Sequence, residues 1–187
     1  MRSPEVAVVI CHHTGDLLLR CLESVRLSQG VHFDTLVITS DPTLHERIPA
    51  WVTLYYVEGG PAHKRNVGVS RSTSPYIVFL DDDTEISPYT LYEFYCWMQD
   101  HLSCGMVFGK ILNMERRTEF DDCGSWLTYT GFLWARAGNH QRDIGQFRSP
   151  IPCLGSKSAT CAIKRHTFYQ TGGFDADYYI LGEETDL

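Results

Sequence analysis

The sequence predicts an α/β fold with a mostly parallel central sheet, helices on both faces and a small antiparallel portion. Three observations predict it. Short apolar, β-branched runs alternate with segments of helical periodicity through residue 111. Those runs lack the strict polar alternation of a half-exposed strand, as strands buried on both faces do. The fourth run also ends directly in Asp81-Asp82-Asp83, the carboxyl end of a strand, where open parallel sheets bind ligands.

Taken in order, Glu5–Cys11 (EVAVVIC) reads as the first strand, broken by HHTGD. From Asp16 to Gln29, Leu18, Leu22 and Val25 recur at helical spacing, with Gly30 as the stop. FDTLVIT is a second strand, closed by the turn residues SDPT, and WVTLYYV is a third. The loop EGGPAHKRN leads into a helix beginning near Ala62, and YIVFL (Tyr76–Leu80) is the fourth strand. A helix follows from Pro88, because proline suits a first helical position and LYEFYCWM repeats apolar residues at i, i+3 and i+4. CGMVFGKIL reads as a fifth strand. Residues 112–157, rich in Gly, Arg and aromatics, read as loops with one or two antiparallel strands in WLTYTGFLWA. SATCAIK then reads as a strand and RHTFYQT as a short helix ended by Gly172-Gly173.

The 187 residues suit a single domain, with a composition shift near residue 112 that marks a change of role inside it. Sixteen Lys and Arg against 23 Asp and Glu give a net charge of −7, which excludes general nucleic-acid binding through phosphate neutralisation. The seven cysteines are odd in number and no two lie closer than eight positions. That excludes CxxC zinc and redox motifs and fits a reduced chain. The apolar runs fall far short of the ~20 residues of a membrane span. The N-terminus lacks the pattern of a signal peptide, since Glu5 precedes its apolar run and no small-residue cleavage site follows.

Three adjacent carboxylates repel one another unless protons or a cation neutralise them. No Lys or Arg stands between Arg71 and Lys110 to do so locally. A hard divalent cation, Mg²⁺ or Mn²⁺ held partly by substrate phosphates, resolves the repulsion. A solvated turn whose Asp or Thr caps the next helix is the alternative. Glu183, Glu184 and Asp186 gather behind two glycines and an aromatic cluster, surroundings that raise a carboxyl pKa and suit a general base. A solvated acidic terminus is the plainer account. His63–Asn66 (HKRN) places basic side chains at a helix start, where backbone N–H groups also attract phosphate. P-loop, GxGxxG, GxSxG and HExxH signatures are absent from the sequence.

Together these segments resemble the family 2 glycosyltransferases of GT-A fold. VVICHHTGDLLLRCLESV is similar to the family's opening strand and helix, and GPAHKRNVGVSRSTSPYIVFLDDDTEIS to its R-N-x-G…F-L-D-x-D block. CAIKRHTFYQTGGFDADYYILGEETDL resembles its R-x-x-F-x-x-x-G-G-F-D-E…G-E-D-x-D-L ending. The resemblance implies a metal pair of Asp81 and Asp83, with Asp83 the direct ligand and Asp81 or Asp82 near the ribose of the sugar nucleotide. It places Arg65 and Asn66 near the nucleotide, and Cys11, His13 and Asp41 in the two turns that cradle the base. There the chain departs from the pattern, with Cys11-His12-His13-Thr14 for PTYN and Thr39-Ser40-Asp41-Pro42 for the usual acidic pair. Gly173, Phe174 and Asp175 would border the acceptor, and Glu184 would be the base, supported by Glu183 and Asp186.

The implied activity is an inverting, metal-assisted transfer, with Mn²⁺ or Mg²⁺, from a nucleotide-diphosphate sugar to a glycan or lipid-linked saccharide. The spacing of Asp122, Gly124 and Gly131 is most similar to a rhamnosyl-type branch acting on bacterial surface polysaccharides. A cytoplasmic protein follows, attached peripherally to the inner face of the plasma membrane through segments absent from this chain. Leu187 falls directly behind the implied base, so a truncated fragment that binds donor but transfers poorly is expected. A non-catalytic nucleotide-sugar-binding domain of the same fold and a sugar nucleotidylyltransferase are the alternatives.

Overall fold

A computed structural model describes residues 3–13, 15–137 and 141–177, so Glu183, Glu184 and Asp186 lie outside the described residues. The elements run β1 (Val6–His12), α1 (Leu18–Arg26), β2 (Phe33–Thr39), β3 (Thr53–Tyr56), α2 (Pro61–Arg71) and β4 (Tyr76–Asp81). There follow α3 (Thr90–Asp100), β5 (Met106–Phe108), β6 (Ile111–Leu112), β7 (Phe120–Asp122), β8 (Ser125–Leu127), β9 (Leu133–Ala135), β10 (Thr160–Lys164) and α4 (Arg165–Thr171). The central sheet has the order β3-β2-β1-β4-β10-β5. Its first four strands pair in parallel, and β10 is antiparallel to both β4 and β5. This is the expected mixed α/β architecture with a mainly parallel sheet.

Strand alternation sorts the apolar side chains onto two faces. Val6, Val8 and Ile10 of β1, with Val78 and Leu80 of β4, pack against Leu22 and Val25 of α1 and Leu91 and Met98 of α3. Ala7, Val9, Ile77 and Phe79 pack on the other face, against Ala62 and Val69 of α2 and Phe168 of α4. Both faces of β1 and β4 are therefore covered, and their apolar runs are continuous for that reason.

Three elements differ from the sequence expectation. The CGMVFGKIL run is divided: β5 stays in the central sheet while β6 leaves to pair with β7. Gly109 marks the break, and a Cβ there would stand 2.6 Å from Thr160 Cγ2. The WVTLYYV strand is limited to Thr53–Tyr56 at the sheet edge. The helix expected from Pro88 begins at Thr90, and the Pro88 carbonyl instead accepts the Gln29 backbone N–H at 2.8 Å.

Helix α2 lies unusually close to β1. A Cβ added at Gly68 would stand 2.3 Å from Val9 Cγ1, so only glycine permits this approach. Gly68→Ala should therefore destabilise the fold by about 1–3 kcal/mol through forced displacement of α2. Thermal unfolding should show Tm lowered by roughly 2–10 °C. An unchanged Tm would mean that α2 is not seated as described.

Candidate active site

Because β1, β2 and β4 are parallel, His12, Thr39 and Asp81 end on one edge of the sheet. In open α/β sheets, ligands bind in the crevice outside these carboxyl ends. The register sets Cys11 beside both Ile38 and Asp81, and His12 beside Thr39. The first turns of α2 cross beneath this edge, starting from Gly60 as N-cap with Pro61 at the first helical position.

The basic segment of α2 points inward. Lys64 is 3% exposed and Arg65 4%. The Lys64 ammonium donates to the His12 carbonyl at 3.0 Å and to Ser40 Oγ at 3.3 Å, tying the end of β1 to the turn after β2. Arg65 donates to Asp81 Oδ1 at 3.0 Å, and its guanidinium lies 5.4 Å from the centre of the Phe174 ring. Asn66 clasps a backbone more than a hundred residues away: its Nδ2 donates to the Phe174 carbonyl at 2.7 Å, and its Oδ1 accepts the Phe174 N–H at 3.0 Å. Lys64 and Arg65 are thus structural cations with internal partners, in contrast to an open phosphate-binding patch.

Each carboxylate of the acidic turn has a different environment. Burial pushes the Asp81 carboxyl above the usual carboxylate range, Arg65 pulls it part of the way back, and the charges of Asp83 and Asp82 push it up again. The His12 Nδ1–H donates to Asp82 Oδ2 at 2.6 Å, and the His13 backbone N–H lies 3.4 Å from the same oxygen. Asp83 is exposed, and among the described residues no side chain hydrogen-bonds or ion-pairs with it. Two residues on, Glu85 sits between Arg117 at 2.7 Å and Arg20 at 2.5 Å, and the Arg117 bond holds its carboxyl below the usual range. The like-charge repulsion read from the sequence is therefore partly resolved by Arg65 and His12, which are distant in sequence from the turn.

The other expected site residues fall as follows. Burial pushes the Cys11 thiol up to about 12, and its Sγ faces the Pro61 carbonyl at 3.8 Å. His13 is exposed at the mouth. Asp41 is held below the usual carboxylate range by hydrogen bonds from the Thr43 hydroxyl and N–H, closing a local turn after β2. The Phe174 ring is 2% exposed and packs on Phe79 and Phe168, with centroids 5.2 and 5.8 Å away. It anchors the turn following α4 and presents no open surface. Gly173 has φ +76°, and a Cβ there would stand 3.0 Å from Asn66 Oδ1. Asp175 is exposed and its Oδ1 accepts the Asp177 N–H. Glu183, Glu184 and Asp186 fall outside the described residues.

The sequence names Lys64 within HKRN and His12 within the turn after the first strand, and shows for neither the internal partner that the fold supplies. A signal for Lys64 was present: it stands one turn before Gly68, on the helix face that meets the sheet. The pairing of His12 with Asp82 spans 70 positions and had no local signal.

Among the described residues, no group of three or more His, Cys, Asp or Glu side chains forms a ready cage for a metal. The donor chemistry of the turn still fits Mg²⁺ or Mn²⁺. These ions take oxygen from one or two carboxylates and complete their shells with phosphate and water, and Asp83 has an open carboxylate. No helix among the described residues is long and apolar enough to cross a membrane.

This is a mainly parallel α/β architecture with an acidic turn at the strand ends. Residues 6–153 match the family described as Glycosyl transferase family 2, and the chain belongs to that family. The crystal structure of S. aureus TarS 1–349 is similar with a TM-score of 0.65 at 17% identity, covering 96% of this chain and 53% of that one. The crystal structure of the same S. aureus TarS fragment in complex with UDP-GlcNAc is similar with a TM-score of 0.50 at 21% identity, over 57% of this chain and 34% of that one. The chain thus spans about half the length of the TarS chain it matches, and at these identities the likeness shows the fold. A search of curated proteins finds no match.

The thiol environments give a direct check on the strand-end geometry. Burial also pushes the Cys21 thiol up to about 12, so neither it nor Cys11 carries appreciable thiolate near neutral pH. Iodoacetamide should leave both unmodified in the folded protein and label them only after unfolding. Rapid modification of native Cys11 would contradict the described packing of β1 against α2.

Proposed function

We propose that this chain transfers a sugar from a nucleotide-diphosphate sugar to a hydroxyl of a glycan or lipid-linked saccharide, with inversion at the anomeric carbon. The observation that carries this reading is the acidic turn closing β4: Asp81 is fixed by Arg65, Asp82 by His12, and Asp83 is exposed with no side-chain partner among the described residues. Family membership supports the reaction class, and the UDP-GlcNAc bound to TarS supports a nucleotide-sugar donor.

In this reading residues 1–111 hold the donor and 112–187 the acceptor. Cys11, His13 and Asp41 border the base, and Arg65, Asn66, Asp81 and Asp82 border the ribose and diphosphate. Asp83, with Asp81, would hold Mn²⁺ or Mg²⁺, which supplies positive charge toward the departing diphosphate. Glu184 takes the proton of the acceptor hydroxyl while that oxygen bonds to the anomeric carbon. The bond from that carbon to the diphosphate oxygen breaks in the same displacement, and its electron pair leaves with the nucleotide. Glu183 and Asp186 support the base, and Gly173, Phe174 and Asp175 shape the acceptor side, Phe174 by anchoring the turn. A hexosyl or deoxyhexosyl donor, a role in cell-envelope polysaccharide synthesis and a cytoplasmic location, with any membrane attachment made by segments other than these 187 residues, complete the proposal.

Thermal shift against UDP, GDP, dTDP and CDP, with and without Mn²⁺, tests the donor assignment. One nucleotide should raise Tm, with a further increment from metal that Asp83→Asn abolishes. Glu184→Gln should retain both shifts while lowering turnover by roughly 10²–10⁴-fold. A metal increment that survives Asp83→Asn would reduce the acidic turn to a helix cap. Full turnover by Glu184→Gln would remove the assigned base.

A further inference from the structure

The hairpin of β8 and β9 projects aromatic rings that the core does not use. Trp126 and Trp134 are directly opposed, with ring centroids 5.9 Å apart. Beyond them the Thr128 N–H donates to the Phe132 carbonyl at 2.8 Å, continuing the pairing one step past Leu127 and Leu133. Side chains alternate across a β-ribbon, so Trp126, Thr128, Phe132 and Trp134 share one face. Phe132 is 72% exposed and Trp134 65%, and Tyr129 stands fully in solvent at the turn. Exposed rings grouped this way mark an interaction surface.

The hairpin is continuous with the candidate active site. Ser125 bridges to Gly155, its N–H donating to the Gly155 carbonyl at 2.8 Å. Ser156 and the Lys157 N–H are held by the buried Asp122 carboxylate at 2.5 and 2.7 Å. Ala159 then accepts the Asp81 N–H at 3.2 Å. Five consecutive residues, Gly155 to Ala159, therefore lead from the aromatic ribbon to the first carboxylate of the acidic turn. Arg117, from the loop between β6 and β7, adds its ion pair to Glu85.

We propose that the Trp126–Phe132–Trp134 face of this hairpin is a stacking platform for a saccharide chain at the rim of the site. Sugar rings present flat C–H faces that pack on the electron-rich faces of aromatic rings, while their hydroxyls stay hydrated or find polar neighbours. The hydroxyls of Thr128 and Thr130, 3.0 Å apart at the turn, supply such neighbours. The residues at the tip, Thr128-Tyr129-Thr130-Gly131, carry three hydroxyls and no aliphatic wedge, which favours a hydrated saccharide over a bilayer. The net charge of −7 likewise disfavours an anionic lipid surface. The inference deepens the proposed transferase reading and rests on it for the identity of the saccharide as acceptor.

The test is binding of the fluorescently labelled chain to a printed glycan array, beside co-sedimentation with phosphatidylglycerol–phosphatidylethanolamine vesicles. Wild type should bind at least one class of array saccharide and leave the vesicles in solution. Phe132→Ala with Trp134→Ala should lower glycan binding roughly tenfold or more. Phe132→Tyr with Trp134→Tyr should restore most of it, and the UDP-induced thermal shift should be the same in all three proteins. No array binding by wild type, full binding by the alanine variant, or recovery of the chain with vesicles instead would each overturn the proposal. Loss of the nucleotide shift with ring-dependent glycan binding retained would instead count against the transferase reading, so the two failures are distinguishable.

Discussion

Arg65 is a permanent cation placed almost wholly inside the protein, and Asp81 supplies a carboxylate to it at 3.0 Å. A buried cation is favoured by a carboxylate set against it, and drawing that carboxylate away is unfavourable. That constraint fixes the direction of the acidic turn. With Asp81 drawn down to α2 and Asp82 drawn toward His12, the next carboxylate, Asp83, is the one left facing outward. The same helix reaches in two further directions. Lys64 ties the β1 end to the β2 turn, and Asn66 clasps the backbone at Phe174, so one turn of α2 organises the site from beneath.

This arrangement explains why the approach of α2 to β1 matters beyond packing. Gly68 lets the helix close on Val9, and that closeness brings Lys64 and Arg65 within hydrogen-bond reach of the strand ends. The Phe174 ring, wedged among Phe79, Phe168 and the Arg65 guanidinium, carries the constraint across to the turn after α4. The proposed donor and acceptor sides therefore share a single brace, in which apolar packing and one cation of α2 meet at the same ring.

The strands and helices were legible where burial produces a local pattern. The run VAVVICH is covered on both faces and reads as continuous apolar residues, and RHTFYQT ends at Gly172, whose φ of +95° suits glycine. The division at Gly109 was not legible, because it depends on Thr160 arriving from fifty residues away. The same limit applies to the site. Asp81, Asp82 and Asp83 announced themselves as neighbours in sequence, but their separate environments come from Arg65 and His12 on other elements. Composition alone sets basic side chains at the helix start in HKRN, and helical phase decides that its Lys and Arg turn inward. The aromatic hairpin was visible as WLTYTGFLWA, though only the pairing of Trp126 with Trp134 shows that its rings share a face.

In the proposed reaction α2 holds Asp81 inward so that Asp83 can receive a metal-bound diphosphate. That arrangement is tested most directly by an anomalous difference map from crystals grown with UDP and Mn²⁺. A manganese peak bonded to Asp83 and to diphosphate oxygens is expected, with the Arg65–Asp81 pair intact beneath it. A manganese peak away from the acidic turn, or nucleotide bound there with Asp81 released from Arg65, would contradict it.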